Sequence, residues 1–520
     1  MDNMNKSVTD TVQHSKIREW IGYTFATLCV VAVLLAVGRE KSGYHEDEMF
    51  TFGLSNHQFQ TTGYIGITVE NGKSYTGWEL WSEYLTTDYG RRFDYANVWE
   101  NQTHDVHPPL FYVLIHTASS LFPNLGVKAI GFMVNIPLAV IVFWQLIWMI
   151  SKLNISKKTA MILAAAFVLS NGFVNNGVVF FRMYALMAVF INCLIMIFLH
   201  YPAENDGCRS YYLLLGAVLA AGILTQYYFI IFAFFACLVY AVFVVLSKNW
   251  RKLAGSFLTA GVSLVAAWRI FPAMIRHIFF GYRGKEAFEN AASAGFLKRV
   301  WQFFDLIDGS VFGKGLVVLL SVIIVAAIVG RERKESRLAC YPYVILIVPV
   351  CLYVLVVSKI APYLKLRYCV SCMGLLYVGL FALLIKLAQR IAPRANCAVL
   401  VMAVAMLFCG YRSGIPNLYL EERDNIQVIQ ENSELPCVFV YNDRWKIHPN
   451  LLELTNLDRI VFVQAKCWEQ QKDKIGLEGS MIAYIPNDCP ELLAELKDNA
   501  GLTSASELFS FGYETAYVLK

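Results

Sequence analysis

Two adjacent carboxylates, Asp47 and Glu48, follow the first long apolar run of the chain, within YHEDEMFTFGLSNH (44–57). A carboxylate held beside a substrate can take the proton from an attacking hydroxyl group, which is general base catalysis. Acidic residues next to an apolar run are also common as a solvated face. The choice between a site and a surface therefore depends on what the rest of the chain brings to the same level.

Basic residues stand at the ends of later apolar runs. Arg182 lies in FFRMY (180–184), and Lys365 and Arg367 lie in YLKLRY (363–368). Clustered Arg and Lys side chains can stabilise a phosphate leaving group through charge-assisted hydrogen bonds. Each of them alone can also be an anchor that reaches to the membrane surface. The joint pattern favours a phosphate site more than any single member does.

Asp105 and His107 begin a third polar element, DVHPPL (105–110). A histidine before two prolines can simply cap a turn, or it can position a catalytic group. Together with His45, Glu46 and Asp47 the two residues could also form a mixed nitrogen and oxygen metal site. A divalent metal ion is therefore an open alternative for the phosphate's countercharge, and the sequence assigns no other cofactor.

The composition is that of a protein with many membrane spans. Hydrophobic residues make up 57% of the 520 residues and only 16% are charged, compared with about 25% charged in a soluble protein. The net charge of +5 fits basic cytoplasmic loops and indicates no nucleic-acid partner, whereas membrane lipids are expected partners. Eleven runs are long and apolar enough to be candidate spans: 19–38, 127–150, 158–176, 183–200, 211–225, 228–247, 253–274, 314–330, 341–358, 367–388 and 396–412.

Basic residues in short loops predict the orientation, because cytoplasmic loops carry an excess of Lys and Arg. Lys16 and Arg18 place the N-terminus in the cytoplasm, and eleven spans then place the C-terminus outside the plasma membrane. The same rule places four later loops in the cytoplasm: those with Lys152, Lys157 and Lys158; with Lys248, Arg251 and Lys252; with Arg331, Arg333, Lys334 and Arg337; and with Lys386, Arg390 and Arg394. The assignments agree only if LFYVLIHTASSLF (110–122), which is short for a span, is re-entrant or juxtamembrane.

The domain prediction follows from this topology. Residues 1–412 form a membrane domain with a large outer loop at 39–126, and residues 413–520 form a small extracytoplasmic α/β domain. In the second domain, CVFVYN, RIVFVQ and SMIAYIP are strand-like, and NLLEL and PELLAELKD are helix-like. No glycine-rich phosphate fingerprint begins any of these helices, so no chemistry is assigned to them.

In this topology the carboxylates and the basic residues come from distant parts of the chain to one depth, the outer membrane interface. Ionisable residues near a membrane are costly and usually partnered, so their convergence is informative. A site at this boundary suits a substrate with an apolar tail and a polar head. The chemistry that fits is group transfer from a lipid-linked phosphate to an acceptor outside the cytoplasm.

Four motifs carry a resemblance to a known family: DE after the first span (47–48), D-x-HPPL-x-Y (105–112), R-x-Y-A-L (182–186) and T-x-Y-Y (225–228). Over about residues 15–390 the chain resembles the GT-C membrane glycosyltransferases. It is most similar to bacterial glycosyltransferase family 39-like proteins, relatives of the protein O-mannosyltransferases and of the aminoarabinose transferases of lipid A. The fold implied is a polytopic α-helical membrane protein of about eleven transmembrane helices, followed by the small α/β domain.

The resemblance also implies an activity and roles for residues. The implied donor is a sugar linked to polyprenyl phosphate, and transfer occurs outside the cytoplasm, usually with inversion at the anomeric carbon. The family's acidic residue corresponds to Asp47, with Glu48 beside it, and the donor-phosphate residues correspond to Arg182 and Arg367. The further candidates at the donor site are Lys365 and two motif tyrosines, Tyr184 and Tyr227.

Two other functions remain open at this stage. A transporter would place ionisable residues near the bilayer midplane and often show internal repeats, neither of which the sequence displays. A non-catalytic partner in the export or assembly of a surface polysaccharide would keep the spans and lose the acid–base residues. The sequence names neither the sugar nor the acceptor, which can be a glycan, a lipid or a protein.

Overall fold

The computed structural model describes residues 2–329, 340–392, 395–472, 475 and 479–520. The predicted basic loop at 331–337 and Arg394 lie outside these residues, so their position is not described. Within them the chain divides into two units. The helical unit consists of the residues through Arg39 with Asn135–Val178 and Met183–Ile415, and the mixed unit consists of Glu40–Val134, Val179–Arg182 and Pro416–Lys520.

Long apolar helices make up most of the helical unit and confirm the polytopic α-helical prediction. In the described residues, seven helices are long and apolar enough to cross a membrane: Glu19–Arg39, Val127–Lys152, Tyr228–Leu246, Trp250–Ile270, Tyr341–Ile360, Val370–Ile391 and Asn396–Ser413. The first continues a helix that begins at Asp2. Val127–Lys152 starts in the mixed unit and continues into the helical one.

Two bent helix pairs bring the number of spans to nine if each pair is counted as one. Lys157–Val168 and Asn171–Val178 meet at 52°, and Phe296–Phe312 and Leu316–Val329 meet at 86°. Gly313 lies in the second break with φ +57, and a Cβ there would be 2.3 Å from the Met406 carbonyl oxygen. This break therefore depends on glycine, which alone adopts that conformation without a steric cost.

Two predicted spans are shorter than the bilayer requires. Tyr184–His200 and Arg209–Thr225 are apolar helices of 17 residues each, about 25 Å long against a hydrocarbon core of about 30 Å. Each of the eleven predicted segments coincides with an apolar helix, but length and composition support seven to nine spans in the described part of the chain. The count of eleven stays a prediction. Between the spans lie shorter helices: Ala273–Ile275, the π-helix Arg276–Phe280, Tyr282–Ala292 and the 3₁₀ turn Leu366–Tyr368.

The mixed unit contains a six-stranded sheet. Its strands are β1 Ser74–Tyr75, β2 Cys437–Tyr441, β3 Ile460–Gln464, β4 Met481–Pro486, β5 Ala505–Phe511 and β6 Glu514–Leu519. Their order is β1-β3-β2-β4-β6-β5. The three central strands are parallel, and β1, β6 and β5 are antiparallel to their neighbours. The three predicted strands are confirmed as β2, β3 and β4. All of their residues except Gln464 are buried, which is typical of strands covered on both faces.

The mixed unit also contains helices, and one of them carries Asp47 and Glu48. The helices from the loop before the second span are Glu46–Asn56, Phe59–Thr62, Gly77–Leu85, Tyr95–His104 and Leu110–Leu121. The C-terminal ones are Glu422–Glu431, Leu451–Leu454, Trp468–Gln471 and Leu492–Asn499. Leu110–Leu121, predicted not to cross the membrane, has 12 residues and packs against Glu46–Asn56 within the mixed unit.

Candidate active site

The helix that carries Asp47 and Glu48 begins with a capping box. His45 is the N-cap, and its Nδ1 accepts a hydrogen bond from the Asp47 N–H at 3.0 Å. Glu48 Oε2 in turn accepts from the His45 N–H at 2.8 Å. The reciprocal bonds satisfy amide groups that a helix start would otherwise leave open. The three carboxylates of the first turn also face the positive end of the helix dipole, so this sequence starts a helix at Glu46.

Glu48 is completely buried, and protein groups surround both of its oxygens. Oε1 accepts from the Phe181 N–H at 2.9 Å, and Oε2 lies 3.2 Å from Lys41 Nζ. Burial raises the pKa of Glu48, while the Lys41 ammonium and the N–H groups of Phe181 and His45 act in the opposite direction. These contacts make Glu48 a structural centre of the site.

Lys41 completes the buried ion pair. Its Nζ also donates to the Asn417 carbonyl at 2.7 Å, and its own carbonyl accepts from Lys128 Nζ at 2.6 Å. Burial lowers the pKa of Lys41, and Glu48 counteracts that change. Removing one partner of a buried pair typically costs about 3–5 kcal/mol because it leaves an uncompensated charge. The pair therefore ties the Glu46–Asn56 helix to the segment that precedes it and to the C-terminal region.

Asp47 is the accessible member of the acidic pair, with 26% of its side chain exposed. Its Oδ2 lies 3.7 Å from His45 Nδ1. Because that nitrogen accepts the Asp47 N–H, it carries no proton, and the 3.7 Å approach is not an ion pair. The carboxylate of Asp47 is thus reachable by a substrate, in contrast to the enclosed carboxylate of Glu48.

Arg182 is buried against the same helix, with 3% of the residue exposed. Its Nη1 donates to the Asp47 carbonyl at 2.9 Å, to Thr51 Oγ1 at 2.9 Å and to the Tyr112 hydroxyl at 3.2 Å. Its Nη2 lies 3.1 Å from His107 Nε2. The segment Val179–Arg182 thereby connects the helix to the HPP element and, through the Phe181 N–H, to Glu48.

Asp105 and His107 are joined to each other. His107 Nδ1 lies 2.8 Å from Asp105 Oδ2, and 14% of the Asp105 side chain is exposed. Burial would raise the pKa of Asp105, but His107 and Arg182 outweigh it, so the pKa is lowered and the group is a carboxylate at neutral pH. The structure therefore brings together five of the predicted site residues: Asp47, Glu48, Asp105, His107 and Arg182.

This arrangement does not fit a metal centre. Across the part of the chain that is described, no three His, Cys, Asp or Glu side chains form a group suited to a metal ion. Both ring nitrogens of His107 are engaged, one with Asp105 and one with Arg182. A cationic guanidinium beside a prospective ligand nitrogen also disfavours a second cation there.

The other predicted donor-site residues belong to the helical unit. Tyr227 bonds to His277 Nδ1 at 3.0 Å through its hydroxyl, and the Arg367 guanidinium lies 5.6 Å from the centre of the Tyr368 ring. Lys365 is exposed. Tyr184 is buried in the first turn of its helix, where its carbonyl accepts from Ser371.

Sequence reasoning missed two residues next to the candidates. Lys41, the partner of Glu48, stands seven residues before it and was not singled out. His277, the partner of Tyr227, lies beside Arg276 in the π-helix Arg276–Phe280. Neither pairing has a spacing signal in the sequence, because Lys41 reaches Glu48 across a turn and His277 is 50 residues from Tyr227.

The C-terminal residues also reach the acidic helix. The Tyr513 hydroxyl, in the turn between β5 and β6, donates to Glu46 Oε2 at 2.8 Å, and the Trp445 ring packs edge-on against Tyr513 at 4.9 Å. On the same helix, the ring of Phe50 stacks on His448 at 4.4 Å. The start of the helix, one residue from Asp47, is therefore lined by aromatic residues of the C-terminal region.

Comparison with known proteins identifies the fold. No protein-family model and no curated protein sequence matches the chain. Among solved structures, ArnT from Cupriavidus metallidurans bound to undecaprenyl phosphate has a TM-score of 0.55 at 11% identity, covering 96% of this chain and 98% of that one. The apo state of the same protein has a TM-score of 0.52 at 11% identity, covering 95% and 98%. The prediction of a GT-C fold in a multi-pass membrane protein is confirmed.

Proposed function

We propose that this protein is an integral membrane glycosyltransferase that moves a sugar from a polyprenyl-phosphate donor to an acceptor hydroxyl on the extracytoplasmic side of the plasma membrane. The observation that carries the proposal is that an accessible carboxylate and a buried arginine lie together. The carboxylate is that of Asp47, and Arg182 donates a hydrogen bond to the main-chain carbonyl of the same residue. These are the two chemical functions that transfer from a phosphate donor requires: a base for the acceptor and positive charge for the leaving group.

In this proposal Asp47 is the general base. The acceptor oxygen forms a bond to the anomeric carbon while the bond between that carbon and the phosphate oxygen breaks. The hydroxyl proton passes to Asp47, and the phosphate leaves with the electron pair of the broken bond. A positioned base contributes typically about 10²–10⁴-fold to such a step. Glu48 acts indirectly. Its enclosed carboxylate accepts from the N–H groups of His45 and Phe181 and so fixes the helix that carries Asp47.

Stabilisation of the phosphate is assigned to the basic residues and tyrosines. Much of the hydrogen-bonding capacity of Arg182 is directed to protein acceptors, so its effect on the leaving group is mainly electrostatic. Arg367 and Lys365, which are more accessible, would contact the phosphate oxygens, with Tyr184 and Tyr227 as the aromatic part of the donor site. The positive charge of these side chains would act on charge that develops in the transition state.

The donor is inferred from the fold. ArnT, which shares the fold over almost its whole length, is bound to undecaprenyl phosphate in its structure. A lipid-linked phosphate also agrees with the many apolar helices of this chain. A polyprenyl-phosphate sugar is therefore the donor class to test first.

The C-terminal α/β region would help to position the acceptor. Supporting observations are the contact from Tyr513 to Glu46 and the Trp445 ring beside it, both adjacent to Asp47 in the mixed unit. Aromatic faces next to a catalytic carboxylate suit the apolar faces of sugar rings. This assignment favours a glycan-containing acceptor over a protein hydroxyl.

The test of the function is sugar transfer by the purified protein. The protein in lipid nanodiscs would be given a series of radiolabelled polyprenyl-phosphate sugars and an envelope extract from cells that lack the gene. The proposal predicts a new labelled glycoside that depends on the protein, and a matching glycan that is lost from the envelope of the deletion strain. Movement of label across vesicles without a new glycosidic bond would instead identify a transporter.

A further inference from the structure

The contacts of His107 define which of its ring nitrogens carries the proton. A guanidinium group only donates hydrogen bonds and does not lose its proton in proteins. Since Arg182 Nη2 lies 3.1 Å from His107 Nε2, that nitrogen must present its lone pair. Nδ1 then carries the proton and donates it to Asp105 Oδ2 at 2.8 Å.

The carboxylate on the other side of the ring is the natural acceptor for this proton. Asp105 holds a lowered pKa with His107 and Arg182 beside it, so it accepts rather than donates. Three groups therefore form one directed series: Arg182 donates to His107, and His107 donates to Asp105. Both bonds exclude the other tautomer of the ring. That tautomer would place N–H against N–H at Arg182 and a nitrogen lone pair against the carboxylate of Asp105.

The series connects the HPP element to Asp47. His107 precedes Pro108 and Pro109, which fix the backbone before Leu110–Leu121. The other side of the Arg182 guanidinium holds the carbonyl of Asp47. A change at His107 is therefore transmitted to Asp47 through one rigid planar group.

We propose that Asp105 and His107 are positioning residues, which hold Arg182 in the single orientation that supports Asp47, and that His107 is neither a metal ligand nor a base in the reaction. The inference rests on the proposed glycosyl transfer for its functional consequence, but the tautomer can be measured without it. Position 107 therefore needs a side chain with a hydrogen-bond acceptor where His107 has Nε2, so that it can accept from Arg182.

Two amide variants separate the two contacts of His107. The side chain of His107→Gln is long enough to place an amide oxygen near the position of Nε2 and accept from Arg182. The side chain of His107→Asn is one carbon shorter, so it reaches Asp105 and not Arg182. The matched control is His104→Gln, which changes an exposed histidine in the same segment whose ring stacks on Phe59.

The functional readout is the rate of transfer at saturating donor. A misplacement of about 1 Å in a reacting group can cost on the order of a hundredfold in rate. We expect kcat to fall by that order in His107→Asn and by at least tenfold less in His107→Gln, with the KM for the donor and the melting temperature little changed in both. Equal loss in both amide variants, or a loss seen only in KM, would overturn the positioning role.

The spectroscopic readout is independent of activity. Nitrogen NMR of the protein labelled with ¹⁵N-histidine, with the His107 signals identified by their absence from His107→Gln, should show Nδ1 protonated and Nε2 without a proton. A proton on Nε2 would contradict the inference. If the wild-type protein transfers no sugar, the proposed function fails, and this spectrum still decides whether the directed series exists.

Discussion

Asp47 and Glu48 are neighbours in the sequence and have opposite environments. The side chain of Asp47 is 26% exposed, whereas that of Glu48 is fully enclosed by Lys41, His45 and Phe181. The two residues stand at adjacent positions of one helical turn, so their side chains point about 100° apart. In our proposal Asp47 therefore supplies the chemistry and Glu48 supports the helix, although the sequence alone treats the two residues as a pair.

Arg367 provides the residue-scale test of the phosphate site. In our proposal its guanidinium contacts the donor phosphate, and losing a charge-assisted hydrogen bond costs about 1.5–3 kcal/mol. Arg367→Ala should weaken donor binding by that free energy, measured by titration of the purified protein. Arg367→Lys should rescue only part of it, because lysine keeps the charge and loses the planar fork.

The control for this experiment is Arg209→Ala, which removes an exposed arginine from the helical unit. It should leave the affinity for the donor unchanged. If Arg367→Ala behaves like Arg209→Ala, then Arg367 is an anchor at the membrane surface and the phosphate lies elsewhere.

The sequence indicated which polar residues lie together, but not how they are bonded to one another. Asp47, Asp105, His107 and Arg182 stand out in the sequence because they are ionisable residues that flank apolar runs, and the structure brings them together. Their bonds were not predictable, since Arg182 contacts a main-chain carbonyl and His107 contacts Arg182. No residue type or spacing encodes a contact with the backbone of a segment 135 residues away.

At the scale of elements, the short segment Val179–Arg182 belongs to the mixed unit, although the residues before and after it in the sequence belong to the helical unit. Phe181 packs edge-on against Phe132 at 4.9 Å while its N–H serves Glu48. Gly131, in the same helix as Phe132, lies so close that a Cβ would be 2.6 Å from the Phe181 ring. The absence of a side chain at 131 is what allows the segment to approach.

Gly131→Ala should therefore displace the Phe181 segment. Overpacking of this kind costs about 1–3 kcal/mol, and the shift would move both the amide that binds Glu48 and the guanidinium of Arg182. We expect a lower melting temperature together with reduced transfer. Gly126→Ala is the matched control, because a Cβ at Gly126 meets no atom within 4 Å; similar behaviour of the two variants would contradict this packing argument.

A second element contact predicts how stability changes with pH. Glu422 is the first residue of the helix Glu422–Glu431 and is buried beside Glu453. It also packs against Gly43, since a Cβ at position 43 would be 2.3 Å from the Cγ of Glu422. Burial raises the pKa of Glu422 to about 7, and burial with Glu422 nearby raises that of Glu453 well above its usual value. In the folded state Glu422 thus keeps its proton up to a pH of about 7, whereas in the unfolded chain it loses the proton near pH 4.5.

The consequence is a loss of stability as pH rises from about 4.5 to about 7, because the native state binds more protons than the unfolded state over that range. Glu422→Gln should raise the melting temperature at pH 8 relative to wild type and reduce the difference between pH 5 and pH 8. Glu434→Gln, at an exposed position of the same C-terminal region, should change neither. A Glu422→Gln protein with the wild-type pH dependence would show that this pair does not carry the effect.

The sequence predicted those elements whose apolar residues follow a clear pattern. The buried strands β2, β3 and β4 read as continuous apolar runs, and Leu492–Asn499 has an amphipathic helical pattern. The β5–β6 hairpin was missed because β5 is largely exposed and carries polar residues. β1 has only two residues and forms by pairing with β3, which is more than 380 positions later, so no local signal could have indicated it.

At the scale of the whole molecule, the central expectation is the orientation in the membrane. Basic loops predict a cytoplasmic N-terminus, an extracytoplasmic C-terminal region and no crossing by Leu110–Leu121. In a cysteine-free background, an impermeant thiol reagent added outside should label Ser433→Cys and should label Ser151→Cys only after permeabilisation. Labelling of Ser151→Cys in intact cells would invert the predicted loops and would mean that the short helix crosses.

The fold could be assigned from the sequence as far as its class, because composition and a few motifs already indicated a GT-C membrane protein. The number of spans could not, since helices of 17 residues and helices bent by 52° and 86° do not follow the usual length rule. Bends depend on single residues and on packing between helices, which a hydropathy profile does not contain.

Sugar transfer by the Asp47→Asn variant shows whether Asp47 is the general base. The substitution keeps the size of the side chain and removes its capacity to accept a proton, while the Asp47 carbonyl contact with Arg182 is retained. We expect transfer from the polyprenyl-phosphate donor to fall by at least about a hundredfold, with donor affinity and melting temperature unchanged. Glu79→Gln, at an exposed carboxylate of the same unit, should transfer like wild type. Near-normal transfer by Asp47→Asn would contradict the role of Asp47 as general base and remove it from the mechanism.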